Sequence, residues 1–228
     1  ENAELRAQQL LTAQSLQVLE SLEQENERLR RLLDARSTIP SQTVFAEIVY
    51  AGRDPFSRKV IIDRGSQHGI ELGQPVVDDQ GVLGQVTRVL PLLAEVTLVT
   101  DKNLSVPVQV LRNGLRGIAY GSGDGHTMEL RYMPANADVQ VGDQLVTSGL
   151  DGVYPRGVPV ATVTHVERDA TMSFAKIRLR PAAGTNQHRQ VLVVQHREDI
   201  PRLAETEAQP EDDRARGAKR ARSRGRGR

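Results

Sequence analysis

Residues 141–163, VGDQLVTSGLDGVYPRGVPVATV, hold two short apolar runs, 144–147 and 158–163, on either side of a glycine-rich turn. Both runs are rich in β-branched residues, the composition of strands. Gly149, Gly152 and Gly157 fall where only a residue without Cβ turns the chain cheaply. Pro155 and Pro159 remove backbone donors, which suits a turn and a strand start or sheet edge. A shorter version occupies 70–86. There Gly73 precedes a β run, a polar turn ends at Gly81, and Gly84 leads into a second run. The repeated order of glycine, strand, turn, glycine, strand predicts two small barrels of similar build.

The core of such bodies has to be aliphatic. Aromatic residues make up 3% of the 228, and Trp is absent, so little flat surface is available for stacking on bases or sugars. The length suits one large or two small domains. With no Cys, disulfides, thiolate metal sites and a Cys nucleophile are excluded. The formal charge of +1 hides a division. Segment 214–228 holds eight of the 30 basic residues and no acidic one, leaving 22 basic against 29 acidic in 1–213, a balance of −7. An acidic body argues against a nucleic-acid surface. No apolar run reaches the roughly 18 residues that span a bilayer. The chain opens at Glu1 within a helical pattern, and is expected to be a fragment with any anchor upstream.

Segment 1–36 is predicted as a helix of strong formers without Gly or Pro. A heptad frame puts Leu5, Thr12, Leu19, Asn26 and Leu33 at a, and Gln8, Ser15, Leu22 and Leu29 at d. The second half forms the cleaner seam: Leu19, Leu22, Asn26, Leu29 and Leu33, with the polar Asn26 suited to fixing register in a coiled-coil dimer. The competing reading is a single amphipathic helix packed on its own domain.

After a linker at 37–43, twelve strands are predicted: 44–50, 59–63, 75–78, 82–90, 95–100, 105–111, 116–120, 128–133, 144–147, 158–167, 174–180 and 190–195. The fold class is therefore mainly β, two six-stranded β-barrels behind a coiled-coil helix. The expected division is a first, discontinuous barrel over 44–73 and 137–196, with a second, inserted barrel over 74–136. Segment 197–228, acidic then basic, is expected to be disordered.

Candidate chemistry is sparse. The five His residues, 68, 126, 165, 188 and 196, lack metal-ligand spacing. Asp78 and Asp79 read as turn residues before Gly81, not as opposed catalytic carboxylates. Ser148 lacks the context of a nucleophile elbow. Asp101, Lys102, Asn103 and Ser105 read as hairpin chemistry, and 121–125, GSGDG, as a hairpin loop. No enzyme activity, cofactor or metal is expected. The basic tail suits an anionic polymer, a lipid surface or nucleic acid, or simply water.

Several motifs coincide: Lys59-Val-Ile-Ile-Asp-Arg-Gly-Ser-Gln-His-Gly-Ile, Gly73-Gln-Pro-Val-Val, Gly81-Val-Leu-Gly-Gln-Val, Val141-Gly-Asp-Gln-Leu-Val-Thr-Ser-Gly and Tyr154-Pro-Arg-Gly-Val-Pro-Val. Together with the helix they resemble the rod-shape-determining MreC family, over about residues 5–194. The turn glycines Gly73, Gly81, Gly84, Gly142, Gly149 and Gly157 belong to these motifs. The resemblance implies two small β-barrels on the periplasmic side of the inner membrane, held by a single span upstream. It implies a non-enzymatic scaffold of the peptidoglycan elongation machinery that maintains rod shape. Implied partners are a class B penicillin-binding transpeptidase, MreD, RodA and MreB, and further copies of the chain as homodimer or filament. An exposed strand or apolar groove on a barrel is the expected filament contact, in the 141–163 region. Two rival readings remain: a nucleic-acid-binding module with small barrels and a basic tail, and an envelope hydrolase.

Overall fold

A computed structural model describes residues 2–39, 41–52, 57–168, 172–184 and 189–195. The tail expected at 197–228, with His188 and His196, lies outside the described residues. Helix α1 (Asn2–Thr38) runs 37 residues, two beyond the expected end, which at 1.5 Å per residue is about 55 Å. Twelve strands follow: β1 (Thr43–Ala51), β2 (Lys59–Ile62), β3 (Pro75–Val77), β4 (Val82–Val89), β5 (Ala94–Leu98), β6 (Ser105–Val110), β7 (Arg116–Gly121), β8 (Met128–Arg131), β9 (Gln144–Thr147), β10 (Pro159–Glu167), β11 (Lys176–Pro181) and β12 (Gln190–Val194).

The strands close into two antiparallel barrels. One has the order β1-β12-β3-β4-β5-β2, the other β10-β11-β8-β7-β6-β9. One barrel is inserted in the other, but not at the expected boundaries. The inserted barrel is the unbroken run β6 to β11, and the enclosing barrel takes the first five strands plus β12. Strands 75–98 were expected in the inserted body, and 144–180 in the enclosing one. The difference has a physical origin at 101–104. Asp101 accepts the Asn103 amide at 2.8 Å and the Arg58 amide at 2.7 Å, so this turn crosses between barrels while carrying ordinary hairpin chemistry.

Alternation along the strands fills each interior. Ala46, Val60, Ile62, Val76, Leu83, Val86, Val96, Val191 and Val193 fill the enclosing barrel. Val106, Val108, Met128, Leu130, Leu145, Val163, Ile177 and Leu179 fill the inserted one. Three strands of the enclosing barrel are buried on both faces. Val77, Val82, Leu192 and Val194 point away from their own interior and join the cluster of the inserted barrel, together with Leu32 of α1. The two barrels thus share one apolar joint.

Both rings are closed, so neither offers the free edge strand expected as a filament contact. At the joint, Gly81 of the β3–β4 turn is pressed against the inserted barrel. A Cβ there would stand 2.3 Å from the Pro159 carbonyl oxygen and 3.2 Å from Ala182 Cβ. Replacing Gly81→Ala must therefore shift backbone, and should cost about 1–3 kcal/mol of stability. A lower urea midpoint with unchanged slope is the expected result.

Candidate functional site

Within the conspicuous motif 141–160, buried side chains tie the turn to the barrel. Thr147, fully buried at the end of β9, donates its hydroxyl to the Pro155 carbonyl and accepts the Val158 amide at 2.9 Å. The Gly157 amide meets the Thr147 carbonyl at 3.0 Å. One threonine thereby staples the Pro-Arg-Gly loop to the barrel. Asp143 accepts the Gln140 amide at 2.9 Å and pairs with Arg112 at 2.8 Å. The Arg112 guanidinium holds the Asp143 carboxyl below the usual carboxylate range, against the opposing effect of burial. Burial pushes the Tyr154 phenol of the same loop up.

The motif glycines divide by cause. Gly73, Gly142, Gly149 and Gly157 have positive φ, while Gly81 and Gly84 are pressed against backbone carbonyls. Asp78 and Asp79 are turn residues, and Asp78 accepts the amides of Gln80 and Gly81 at 2.8 Å. In the 121–125 loop, burial raises the Asp124 carboxyl. Hydrogen bonds from the Thr127 hydroxyl and the amides of His126 and Thr127 outweigh that and hold it low. Ser148 is buried at the end of β9. Among the described residues no group of three His, Asp or Glu side chains is placed to hold a metal.

Two of the apolar surfaces that the fold exposes are considered in turn. The first is the helix seam. Leu32, which lies off the expected a/d frame, is buried against the barrels, and Arg28 and Glu25 on the same face meet Gln190 of β12. The seam lies about 100° around the axis from that face. There Leu19, Leu22 and Leu33 are 53%, 62% and 63% exposed, Asn26 is exposed, and Leu29 sits half-buried at the boundary. The helix thus serves two surfaces: it packs on its own domain and leaves the heptad seam unpartnered in the single chain.

The second is an aromatic cluster that sequence reasoning missed. Past the Leu130–Ile177 pair, the next contact is Ala175 amide to Met133 carbonyl at 2.9 Å. Arg131 and Tyr132 therefore oppose Lys176 alone, a bulge. Tyr132 takes φ 61°, the one non-glycine positive φ among the described residues, and its side chain is turned outward, 67% exposed. It meets Tyr120 and Phe174 edge-on, with ring centroids 6.3 and 6.1 Å away, and Arg131 lies 4.9 Å over the Tyr120 ring. A hollow of about 470 Å³ beside them is lined by Met172, Glu129 and Lys176 among others. Three of the chain's seven aromatic residues gather on this one outer surface. Exposed Tyr, Phe, Met and Arg together are the composition of protein-contact hot spots. The scarcity of aromatics was the available signal, but it does not say which of them meet.

A helix ahead of two closed six-stranded barrels, one inserted in the other, defines the class: a double-barrel β protein. The rod shape-determining protein MreC barrel-core model matches residues 48–195. The chain belongs to the MreC family. It is 42% identical over 194 residues to the cell shape-determining protein MreC of Escherichia coli, covering 85% of this chain and 53% of that protein. The Haemophilus influenzae protein of the same name is 40% identical, covering 85% and 55%. The chain thus spans about half the length of these curated relatives. The crystal structure of MreC from Pseudomonas aeruginosa superposes with TM-score 0.66 at 45% identity, over 68% of this chain and 99% of that one. A complex between penicillin-binding protein PBP2 and MreC from Helicobacter pylori contains a chain of like fold, TM-score 0.52 at 18% identity, over 68% of this chain and all of that one.

The conformation of Tyr132 has a thermodynamic signature. A left-handed backbone costs a residue with Cβ about 1–2 kcal/mol. Tyr132→Gly should therefore be more stable than Tyr132→Ala by about 1 kcal/mol, the reverse of the usual order within a sheet. Chemical unfolding of the two variants measures the difference.

Proposed function

We propose that the protein is a non-enzymatic scaffold of the cell-wall elongation machinery, acting on the periplasmic side of the inner membrane from an anchor upstream of this chain. The observation that carries the reading is the coincidence of MreC membership with two exposed apolar surfaces, one on the helix and one on the inserted barrel. The helix seam pairs two copies. The aromatic bulge of Tyr132, Phe174 and Tyr120 docks a class B penicillin-binding transpeptidase. Support for that partner comes from the Helicobacter pylori complex of PBP2 with MreC. Pairing on a common stalk raises the local concentration of whatever the barrels hold, and spaces it. MreD, RodA and MreB are the further members of the assembly that this reading places around it. Head-to-tail filaments would form through side-chain surfaces of the barrels.

The nucleic-acid reading finds less support. The rim of the aromatic hollow mixes Glu129 and Glu167 with Arg131, Lys176 and Arg178, where a nucleic-acid groove would be uniformly basic.

Light scattering tests the pairing. The parent chain should be dimeric. Leu19→Asp with Leu22→Asp should be monomeric with unchanged barrel melting, because both positions are more than half exposed. A monomeric parent at high concentration, or a variant that stays dimeric, would sink the helix pair. For docking, Tyr132→Ala with Phe174→Ala should weaken binding of a purified transpeptidase ectodomain at least tenfold, about 1.4 kcal/mol. Unchanged affinity would move the partner to another face.

A further inference from the structure

The chain has three methionines and no cysteine. Two of the methionines are packed in the inserted barrel: Met128 is 0% and Met133 3% exposed. Met133 follows the outward-turned Tyr132 and lies in the core, where a Cβ on Gly117 would stand 3.1 Å from its sulfur. Met172 is 53% exposed. It is therefore the one sulfur-bearing side chain of this chain that is open to solvent.

Backbone contacts just beyond it hold Met172 in place. The Ala135 amide meets the Ser173 carbonyl at 3.1 Å, the Ala175 amide meets the Met133 carbonyl at 2.9 Å, and Pro134 bridges to Phe174 between them. Met172 is thereby set on the hollow of about 470 Å³ that Tyr132 and Phe174 also line, beside Glu129, Lys176 and Arg178. A thioether is flexible and polarisable, which suits contact with an irregular partner surface. In a chain without thiols it is also the group that a mild oxidant turns from apolar to polar.

We propose that Met172 is a modification site, and that oxidation of its thioether to the sulfoxide releases the partner docked on this hollow. The proposal rests on the docking reading of the aromatic surface. The oxidant is hydrogen peroxide. The sulfur lone pair attacks one peroxide oxygen, and an S–O bond forms as the O–O bond breaks. The departing hydroxide takes the proton of the transferred oxygen and leaves as water. Sulfur loses two electrons and the peroxide gains them. The product carries a strong acceptor where an apolar sulfur stood. Buried against a partner without a donor, that oxygen is costly. Lys176 and Arg178 of the same hollow supply donors that draw the oxidised side chain away from an apolar contact. The fold is spared, because the other two thioethers are shielded. Methionine sulfoxide is reduced back by its reductases, so the release is reversible.

Peptide mass mapping of the full chain after graded hydrogen peroxide should show Met172 oxidised first, with Met128 and Met133 spared while the barrels stay folded. Catalase then removes the peroxide, and untreated transpeptidase ectodomain is added. The affinity of the oxidised parent should fall roughly tenfold, the scale of one lost contact residue. Both methionine sulfoxide reductases together, one for each sulfoxide epimer, should restore it. Met172→Leu should show the same affinity before and after peroxide, and Met172→Gln should bind more weakly than the parent without any. Barrel melting should be alike in every sample, which separates a lost contact from a lost fold. Oxidation of a core methionine ahead of Met172, undiminished affinity in the oxidised parent, or an equal loss in peroxide-treated Met172→Leu would each overturn the inference. Failure of the docking reading shows separately, as a Tyr132→Ala with Phe174→Ala variant that binds like the parent. If that variant binds weakly and oxidation changes nothing, the surface docks the partner and Met172 is no switch.

Discussion

The structure depends on strands that bury both faces. Val191 and Val193 of β12 point into the enclosing barrel, while Leu192 and Val194 point the other way, into the cluster shared with the inserted barrel and Leu32. Val76 and Val77 of β3 divide in the same manner. A strand covered on one side would alternate apolar and polar; these read as continuous apolar runs. The outer wall of one barrel is therefore part of the inner wall of the joint. Remove that double burial and the molecule becomes two marginal small barrels on a tether, because bodies of this size bury too little surface alone to be secure.

Much of the local structure was readable in the residues, because its causes are local. All twelve strands lie where β-branched runs and turn residues put them, within two residues at each end. The motif glycines sit at left-handed turns or beneath carbonyls, as residues chosen for lacking Cβ should. Pairing was not readable, because its cause is distant. Strand β12 inserts between β1 and β3, although the whole inserted barrel separates β3 from β12 in the chain. The turn at Asp101, which leads from one barrel to the other, has the same side-chain chemistry as a hairpin. The helix shows the same divide. Its seam follows from heptad spacing, but the burial of Leu32 depends on a wall that only the folded barrels supply.

The aromatic surface was invisible for another reason. Turn and bulge positions with positive φ are found by looking for glycine or asparagine, and here the residue is Tyr132. Nothing near it in sequence announces the bulge, which exists because β8 and β11 fall out of step past Leu130 and Ile177. Tyr120 and Phe174 come from strand β7 and from the approach to β11, and are neighbours of Tyr132 only across the barrel wall. A strained backbone held in place by surrounding structure is where a fold has given up stability to aim a side chain.

Ring closure carries its own consequence. Each strand of both barrels has a hydrogen-bonded neighbour on either side, so neither ring presents an edge strand. Crowded copies of such barrels offer no edge strand with which to trade strands or seed cross-β growth. Whatever assembly they enter must be written in side chains, and so can be taken apart again without unfolding either partner.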